Sequence, residues 1–170
     1  MNPMKQIKIE KLTFNVGAGT NQELLKKGMK LIKNLTGKEP VKTITNKRIP
    51  TWGIRPGLPI GCKLTIRNKE EIDNLLKRLL AAKENKLKRS NFDKDGNLSF
   101  GIHEYINVPG LEYDAEIGII GFEVTATVSR PGYRVKYRRK CPSKIGKKHK
   151  ITKEESIAFF KERYNVIVEE

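Results

Sequence analysis

The stretch IGFEVTATV, residues 120–128, decides the fold class of this chain. Its apolar side chains occupy every second position, at Ile120, Phe122, Val124, Ala126 and Val128. Glutamate and threonine fill the positions between Phe122 and Val128. Such alternation predicts a β-strand that buries one face and exposes the other. Strands of this kind are typical of antiparallel sheets that are covered on one side only.

Three other segments predict strands, and three predict helices. Residues 7–16, 40–46 and 60–67 alternate nearly as well, and a slip near Lys11 favours a bulge in the first of them. Each predicted helix begins with a polar N-cap followed by Glu three residues later, at Thr20, Asn68 and Thr152. The expected core positions of these helices are Leu25, Met29 and Ile32, then Ile72, Leu75, Leu76, Leu79 and Leu80, then Ile157, Phe160 and Tyr164.

These elements predict an α+β fold, in which helices pack on one face of a largely antiparallel sheet in two layers. No linker or repeat divides the chain, so we expect a single domain over residues 1–170. Within it, residues 46–60 contain two glycines and three prolines and predict a long exposed loop. Residues 85–115 show a turn at Asp93–Gly96 but no clear element.

The charge of the chain indicates a polyanionic partner. The 170 residues include 35 Lys+Arg and 19 Asp+Glu, a formal net charge of +16. The cations concentrate around 38–67 and 130–150, and residues 129–150 hold ten bases and no acid. Residues 101–128 hold five acids and no Lys or Arg. With no run of 18 apolar residues and no signal-peptide pattern at the N-terminus, we expect a cytoplasmic protein without a membrane partner.

The segment RPGYRVKYRRKCPSKIGKKHK, residues 130–150, is more specific than a solubilising charge run. Tyr133, Val135 and Tyr137 are interleaved with its cations, and guanidinium groups together with aromatic rings suit phosphates and unstacked bases. The segment has no apolar helical face, which disfavours binding to a membrane surface. Mutual repulsion of the cations predicts that 129–150 is mobile in the free protein and becomes ordered on RNA.

Patterns that would carry catalysis are incomplete. Gly17-Ala18-Gly19 lies between a strand and a helix, but Gln22 replaces the third glycine of a dinucleotide-binding loop. His103 and His149 are far apart in sequence and have no further metal-ligand types at suitable spacing. Two cysteines are too few for a disulfide framework. We therefore predict no catalytic residue, no metal and no cofactor, and a binding protein rather than an enzyme.

Several longer motifs occur in an order that resembles a known family. They are NPMKQIKIEKLTFNVGAG (2–19), LTGKEPVKT (35–43), WGIRPGLPIGCKLTIR (52–67), NFDKDGNLSFGIHEYI (91–106), RPGYRVKYRRK (130–140) and KKHKITKEESIAFFKERYNV (147–166). In them the chain resembles ribosomal protein five of the large subunit, the universal 5S-rRNA-binding family, in its archaeal and eukaryotic branch. Lys38 and Trp52 depart from the family, which usually has Gln and Phe at these positions.

The resemblance implies a structural protein of the central protuberance that binds 5S rRNA and adjacent large-subunit rRNA. It implies 5S rRNA contacts at Asn15, Lys38, Trp52 and Thr65, and a contact between the 47–59 loop and the P-site tRNA. Neighbouring ribosomal proteins and a small-subunit head protein are the implied protein partners.

Reasoning from residue chemistry adds cations to this set and keeps other functions open. The predicted RNA-binding residues are Asn15, Lys38, Lys47, Arg48, Trp52, Arg55, Lys63, Thr65, Arg130, Arg134, Lys136, Arg138, Arg139, Lys140, Lys144, Lys147, Lys148 and His149. The alternatives are a non-ribosomal RNA-binding or RNA-chaperone protein, an architectural DNA-binding protein and an RNA-modifying enzyme. Strands separate the predicted helices, which disfavours a helix-turn-helix that reads DNA.

Overall fold

A computed structural model describes residues 2–169, which form three α-helices and seven β-strands. The helices are α1 (Gln22–Thr36), α2 (Lys69–Ala81) and α3 (Lys153–Tyr164). The strands are β1 (Lys8–Gly17), β2 (Val41–Ile44), β3 (Pro59–Ile66), β4 (Lys86–Lys88), β5 (Leu98–Ile102), β6 (Phe122–Ser129) and β7 (Ile167–Glu169). Among the described residues, no helix has the length and apolar character needed to cross a membrane.

Five of the strands form one sheet, in the order β2-β3-β1-β6-β5. β2 and β3 are antiparallel, with Val41 opposite Lys63 and Lys42 opposite Cys62. β4 and β7 form a separate parallel pair. The predicted α+β class with a largely antiparallel sheet is confirmed.

The chain divides into two compact units, each made of segments that are distant in sequence. The first unit contains Arg67–Ser99, the residues up to Leu12 and those from Thr125 onward. The second contains Thr13–Ile66 and Phe100–Val124. The unit boundaries fall inside β1, β5 and β6, so each of these strands contributes residues to both units. The expectation of one domain over 1–170 stays a prediction.

The first unit has a core built mainly on α2 and α3. All five predicted positions of α2 are buried, and they are Ile72, Leu75, Leu76, Leu79 and Leu80. On α3 the buried residues are Ser156, Phe160 and Tyr164, whereas Ile157 is only half-buried. The Ser156 hydroxyl donates to the Gly96 carbonyl at 2.6 Å. This bond lets a polar side chain occupy a buried position without an unmet hydrogen bond.

The second unit packs α1 against β3. The helix buries Leu25, Leu31, Ile32 and Leu35, whereas Met29 of the predicted stripe is half-buried. A methyl group built at Gly28 would lie 2.8 Å from Val16 Cγ1 and 3.4 Å from Cys62 Sγ. Val16 and Cys62 therefore point toward α1, which identifies the helix-covered face of β1 and β3.

The helix starts follow the predicted chemistry with one correction. α3 has the complete capping box between Thr152 and Glu155, and Asn68 caps α2 by accepting from the Glu70 N–H. The cap of α1 is Asn21 instead of Thr20, because its Oδ1 accepts from the N–H groups of Glu23 and Leu24 at 2.9 and 3.2 Å. Asparagine is at least as good an N-cap as threonine, so the adjacent residue takes the role.

Candidate nucleic-acid interface

One face of the second unit presents short polar side chains on adjacent strands. Asn15 lies between the buried Phe14 and Val16 on β1, and it therefore points away from α1. Lys63 and Thr65 alternate with buried and half-buried residues on β3 and point the same way. We call the face carrying Asn15, Lys63 and Thr65 the open sheet face. The Asn15 amide donates to Glu123 Oε2 at 3.2 Å, which fixes its orientation.

The 47–59 loop is more ordered than an open loop. Ile49 and Ile54 exchange two backbone hydrogen bonds of 2.9 and 3.1 Å and form an isolated antiparallel bridge. Between them, Pro50–Trp52 forms a 3-10 turn, and Gly53 closes it at φ +64°. The sequence does not predict this bridge, because prolines and glycines usually interrupt strand pairing.

The bridge positions the polar and aromatic residues of the loop at its surface. Ile54 is buried, whereas the Trp52 side chain is 69% exposed. The cations Lys47, Arg48 and Arg55 are exposed. The predicted exposure of Trp52 is confirmed, and a large aromatic surface on a loop that carries guanidinium groups can stack on a base.

Lys38 follows the C-terminus of α1. Gly37 ends the helix in the left-handed conformation, and the Lys38 N–H donates to Thr36 Oγ1 at 3.3 Å. The residue is exposed, so its position is compatible with the predicted RNA contact.

Arg130 is buried, which corrects its predicted role as a direct RNA contact. Its side chain is only 5% exposed, and Nη2 donates to Glu155 Oε1 at 2.8 Å. Nε donates to the Lys5 carbonyl at 3.1 Å, and Nη1 donates to the carbonyls of His149 and Lys150 at 3.3 Å each. These acceptors occupy the guanidinium that a phosphate would need. Arg130 instead joins the two ends of the segment 130–150.

Tyr133 and His149 strengthen the same closure. The Tyr133 hydroxyl accepts from the Ile151 N–H at 2.9 Å, and the rings of Tyr133 and His149 meet edge-on with centroids 5.8 Å apart. His149 Nε2 donates to the Pro131 carbonyl at 2.9 Å. This bond engages Nε2 within the protein, and the RNA contact predicted for His149 stays a prediction. These bonds join the two ends of the segment, and the expected mobility of 129–150 in the free protein stays a prediction.

The remaining cations of the segment are at the surface. Arg134, Lys136, Arg138, Arg139, Lys140, Lys144, Lys147 and Lys148 are all exposed. We call residues 130–150 the basic segment. Arg138 Nε donates to the Cys141 carbonyl at 2.8 Å, which supports the turn at Cys141, whose φ is +48°.

Hydrogen bonds and ion pairs shift the pKa values of several charged side chains in each unit. The pKa of the Glu155 carboxyl is lowered, first by the hydrogen bond from the Thr152 N–H and then by Arg130. In the second unit, Lys30 forms ion pairs with Asp114, at 2.7 Å, and with Glu116. These bonds raise the pKa of Lys30 and lower that of Asp114. Acidic residues of the 101–128 region are thus partly neutralised within the protein.

Two further observations concern metal-ligand and thiol groups among residues 2–169. Within this range no group of three or more His, Cys, Asp or Glu could hold a metal ion. Burial raises the pKa of the Cys62 thiol to about 11, so it is a protonated core residue at neutral pH.

Sequence comparisons match nearly the whole chain to one family. Residues 2–55 match the family described as Ribosomal protein L5, and residues 59–159 match the C-terminal region of the same ribosomal family. The chain is 47% identical over 165 residues to the large ribosomal subunit protein uL5 of Nanoarchaeum equitans, covering 97% of each chain. The chain belongs to the ribosomal protein L5 family. The uL5 protein of Methanosphaera stadtmanae is 44% identical over 169 residues, covering 99% of this chain and all of its own.

Membership in the L5 family confirms the resemblance found in the motifs. It makes the chain a ribosomal protein, and the expected cytoplasmic location on the ribosome is confirmed. The L5 family is one of ribosomal structural proteins and is not known for enzymatic activity. Individual RNA contacts of the residues described above stay predictions.

Proposed function

We propose that the chain is a structural constituent of the large ribosomal subunit that binds 5S rRNA through the open sheet face. The observation that carries this proposal is the shallow polar surface formed by Asn15, Lys63 and Thr65 on neighbouring strands. The minor groove of an RNA helix is wide and shallow and displays 2′-hydroxyl groups. Short amide and hydroxyl side chains on a sheet can approach such a groove, while Lys63 pairs with a phosphate.

The other exposed groups extend the same RNA contact. Lys38 contacts the 5S rRNA, and the basic segment contacts adjacent large-subunit rRNA in the central protuberance. The 47–59 loop contacts the P-site tRNA backbone through Lys47, Arg48 and Arg55, while Trp52 stacks on a base of the 5S rRNA. Because the Ile49–Ile54 bridge restrains the loop, its backbone loses little conformational freedom on binding.

The protein partners proposed here are neighbouring ribosomal proteins of the central protuberance and a small-subunit head protein. The 101–128 region supports this, because it has five acids and no Lys or Arg. Of these acids, Glu104 and Glu112 are exposed, and such carboxylates suit the basic surfaces that ribosomal proteins present.

A charge-matched pair of variants tests the sheet contact. Lys63 lies on the open sheet face, whereas Lys42 pairs with Cys62 and so points to the opposite face of the sheet. Both lysines are exposed, so Lys63→Ala and Lys42→Ala remove the same charge. We expect Lys63→Ala to weaken 5S rRNA binding at least about tenfold more than Lys42→Ala does, close to the lower end of the range for a hydrogen bond of a charged group.

The measurement is a filter-binding titration of 5S rRNA with the full chain, at one fixed salt concentration. Duplex DNA of similar length is the competitor, and co-sedimentation with large ribosomal subunits is the companion assay. Equal effects of the two variants would mean that binding depends on net charge and not on the open sheet face. Absence of the chain from large subunits would contradict the ribosomal role.

A further inference from the structure

A groove of about 530 Å³ lies between the basic segment and the strands of the first unit. Its volume is within the range of sites that hold small organic ligands, about 300–1,000 Å³. One wall comes from β1, β6 and the turn before β5, through Glu10, Thr127, Asp95 and Asn97. The other wall is formed by the basic segment, through Tyr133 and Tyr137 and the stretch from Pro142 to Lys147.

The two walls differ in charge. Four lysines line the groove on the side of the basic segment, and they are Lys136, Lys144, Lys147 and Lys150. The strand wall instead contributes the carboxylates of Glu10 and Asp95, and the exposed Asp95 also forms an ion pair with Lys150 at 3.7 Å. A site built only for phosphate would not contain carboxylates, because they repel the anion. A ligand that fits both walls carries an anionic part and a neutral part rich in hydrogen-bond donors.

Tyr137 supplies a flat surface for such a ligand. Its side chain is 64% exposed, and Lys136 Nζ lies 5.5 Å from its ring centroid. Tyr133 differs, because its hydroxyl is bonded to the Ile151 N–H and holds the segment in place. The wall between them is braced by the bond from the Ser143 N–H to the Val135 carbonyl, at 3.1 Å.

We propose that this groove holds one unstacked nucleotide of the bound RNA, with its base on Tyr137 and its phosphate among the lysines. The base edge then faces Glu10 and Asp95, whose carboxylates accept hydrogen bonds from exocyclic amino groups. Cytosine, adenine and guanine carry such a group, and uracil does not. The groove therefore prefers amino-bearing bases. This inference rests on the proposed function only in taking the natural ligand to be ribosomal RNA.

The test uses labelled single-stranded pentacytidine and pentauridine RNA with the full chain, monitored by fluorescence anisotropy. We expect pentacytidine to bind several-fold more tightly than pentauridine. Tyr137→Ala should weaken pentacytidine binding by about tenfold, as expected for loss of one base–aromatic stack. Tyr137→Phe keeps the aromatic plane and should restore the affinity.

Tyr113→Ala is the matched control. Tyr113 is 60% exposed, like Tyr137, but lies in the acidic 101–128 region of the second unit. Equal effects of Tyr113→Ala and Tyr137→Ala would overturn the proposal. So would equal binding of the two RNAs, or equal competition by a polyglutamate peptide, since either would show that only charge is recognised. If the chain does not bind 5S rRNA but its pentacytidine binding depends on Tyr137, the proposed ribosomal function is contradicted. The proposed nucleotide site in the groove is then still supported.

Discussion

Arg130 joins parts of the chain that are far apart in sequence. Its guanidinium contacts the Lys5 carbonyl, the end of the basic segment and Glu155 at the start of α3. We expect Arg130→Ala to lower the free energy of unfolding by about 1.5–3 kcal/mol, as for hydrogen bonds of a charged group. Urea denaturation measures this value, and trypsin should cleave the basic segment faster in the variant.

Arg134→Ala is the control for this change. Arg134 belongs to the same segment but is exposed, so its loss should alter stability by less than about 0.5 kcal/mol. If both variants were equally stable, the buried network would not stabilise the fold.

Trp52 contributes to binding more than to stability. Because its side chain is 69% exposed, Trp52→Ala should change the free energy of unfolding by less than about 0.5 kcal/mol. The same variant should lose about 1–3 kcal/mol of RNA binding energy if one base stacks on the indole. Thermal melting and RNA titration of Trp52→Ala measure the two effects, and Trp52→Phe should retain most of the affinity. A large fall in melting temperature would assign Trp52 to the core.

The two cysteines should differ sharply in reactivity. Burial raises the pKa of Cys62 to about 11, so at pH 8 its thiol stays protonated and out of reach of reagents. Cys141 is exposed at the surface of the basic segment. A thiol-reactive dye should therefore label one site rapidly in the native protein and a second only after unfolding. Cys141→Ser should abolish the rapid phase, and rapid labelling of two sites would show that Cys62 is accessible.

At the scale of elements, Gly61 sets the close approach of β1 and β3. A methyl group at this position would lie 2.6 Å from the Val16 carbonyl oxygen and 3.0 Å from Thr43 Oγ1. The backbone atom cannot move aside without breaking the strand pair. Gly61→Ala should therefore destabilise the protein by about 1–3 kcal/mol, the usual effect of overpacking.

Gly101 on β5 provides the comparison, because a methyl group built there has no atom within 4 Å beyond its chain neighbours. Gly101→Ala should be neutral or slightly stabilising, since alanine restricts the unfolded chain. Urea midpoints of the two variants give the answer. Similar midpoints would mean that β1 and β3 can separate to admit the methyl group.

Elements with strong periodicity could be predicted from the sequence. The alternation around Phe122 and the stripe from Ile72 to Leu80 each bury one face, and that burial produces the pattern. The slip at Lys11 also has a structural counterpart, because Ile9 and Leu12 are buried with two half-buried residues between them. The three-residue strands β4 and β7 are too short to show a period, so their pairing could not be read locally.

The candidate site was predictable in composition but not in detail. An arginine in a basic run resembles its exposed neighbours, and only the fold shows that Arg130 is buried against carbonyls of distant residues. His149 is similar, since its bond to Pro131 depends on how the segment closes. The Ile49–Ile54 bridge encloses Pro50 and Gly53, and proline and glycine individually disfavour strand pairing, so the sequence does not predict it.

At the scale of the whole molecule, a net charge of +16 should make RNA binding strongly dependent on salt. If about six phosphates of 5S rRNA are neutralised, log K should fall against log salt with a slope of about −4 to −5. RNA titrations at several salt concentrations, from roughly 50 to 300 mM KCl, measure this slope. Replacing both Lys147 and Lys148 with Ala should reduce the steepness of the slope by about one for each phosphate that is no longer neutralised. A slope near zero would contradict phosphate neutralisation.

The division of the chain into interrupted units has a consequence for the order in which the protein can fold as it is synthesised. The second unit is complete once Val124 has left the polypeptide exit tunnel. The first unit begins at the N-terminus, yet Ile9 and Leu12 share it with α3, which ends at Tyr164. Ile9 and Leu12 must therefore wait for α3, which leaves the tunnel after Val124. In a nascent chain, the second unit can therefore fold before the first unit does.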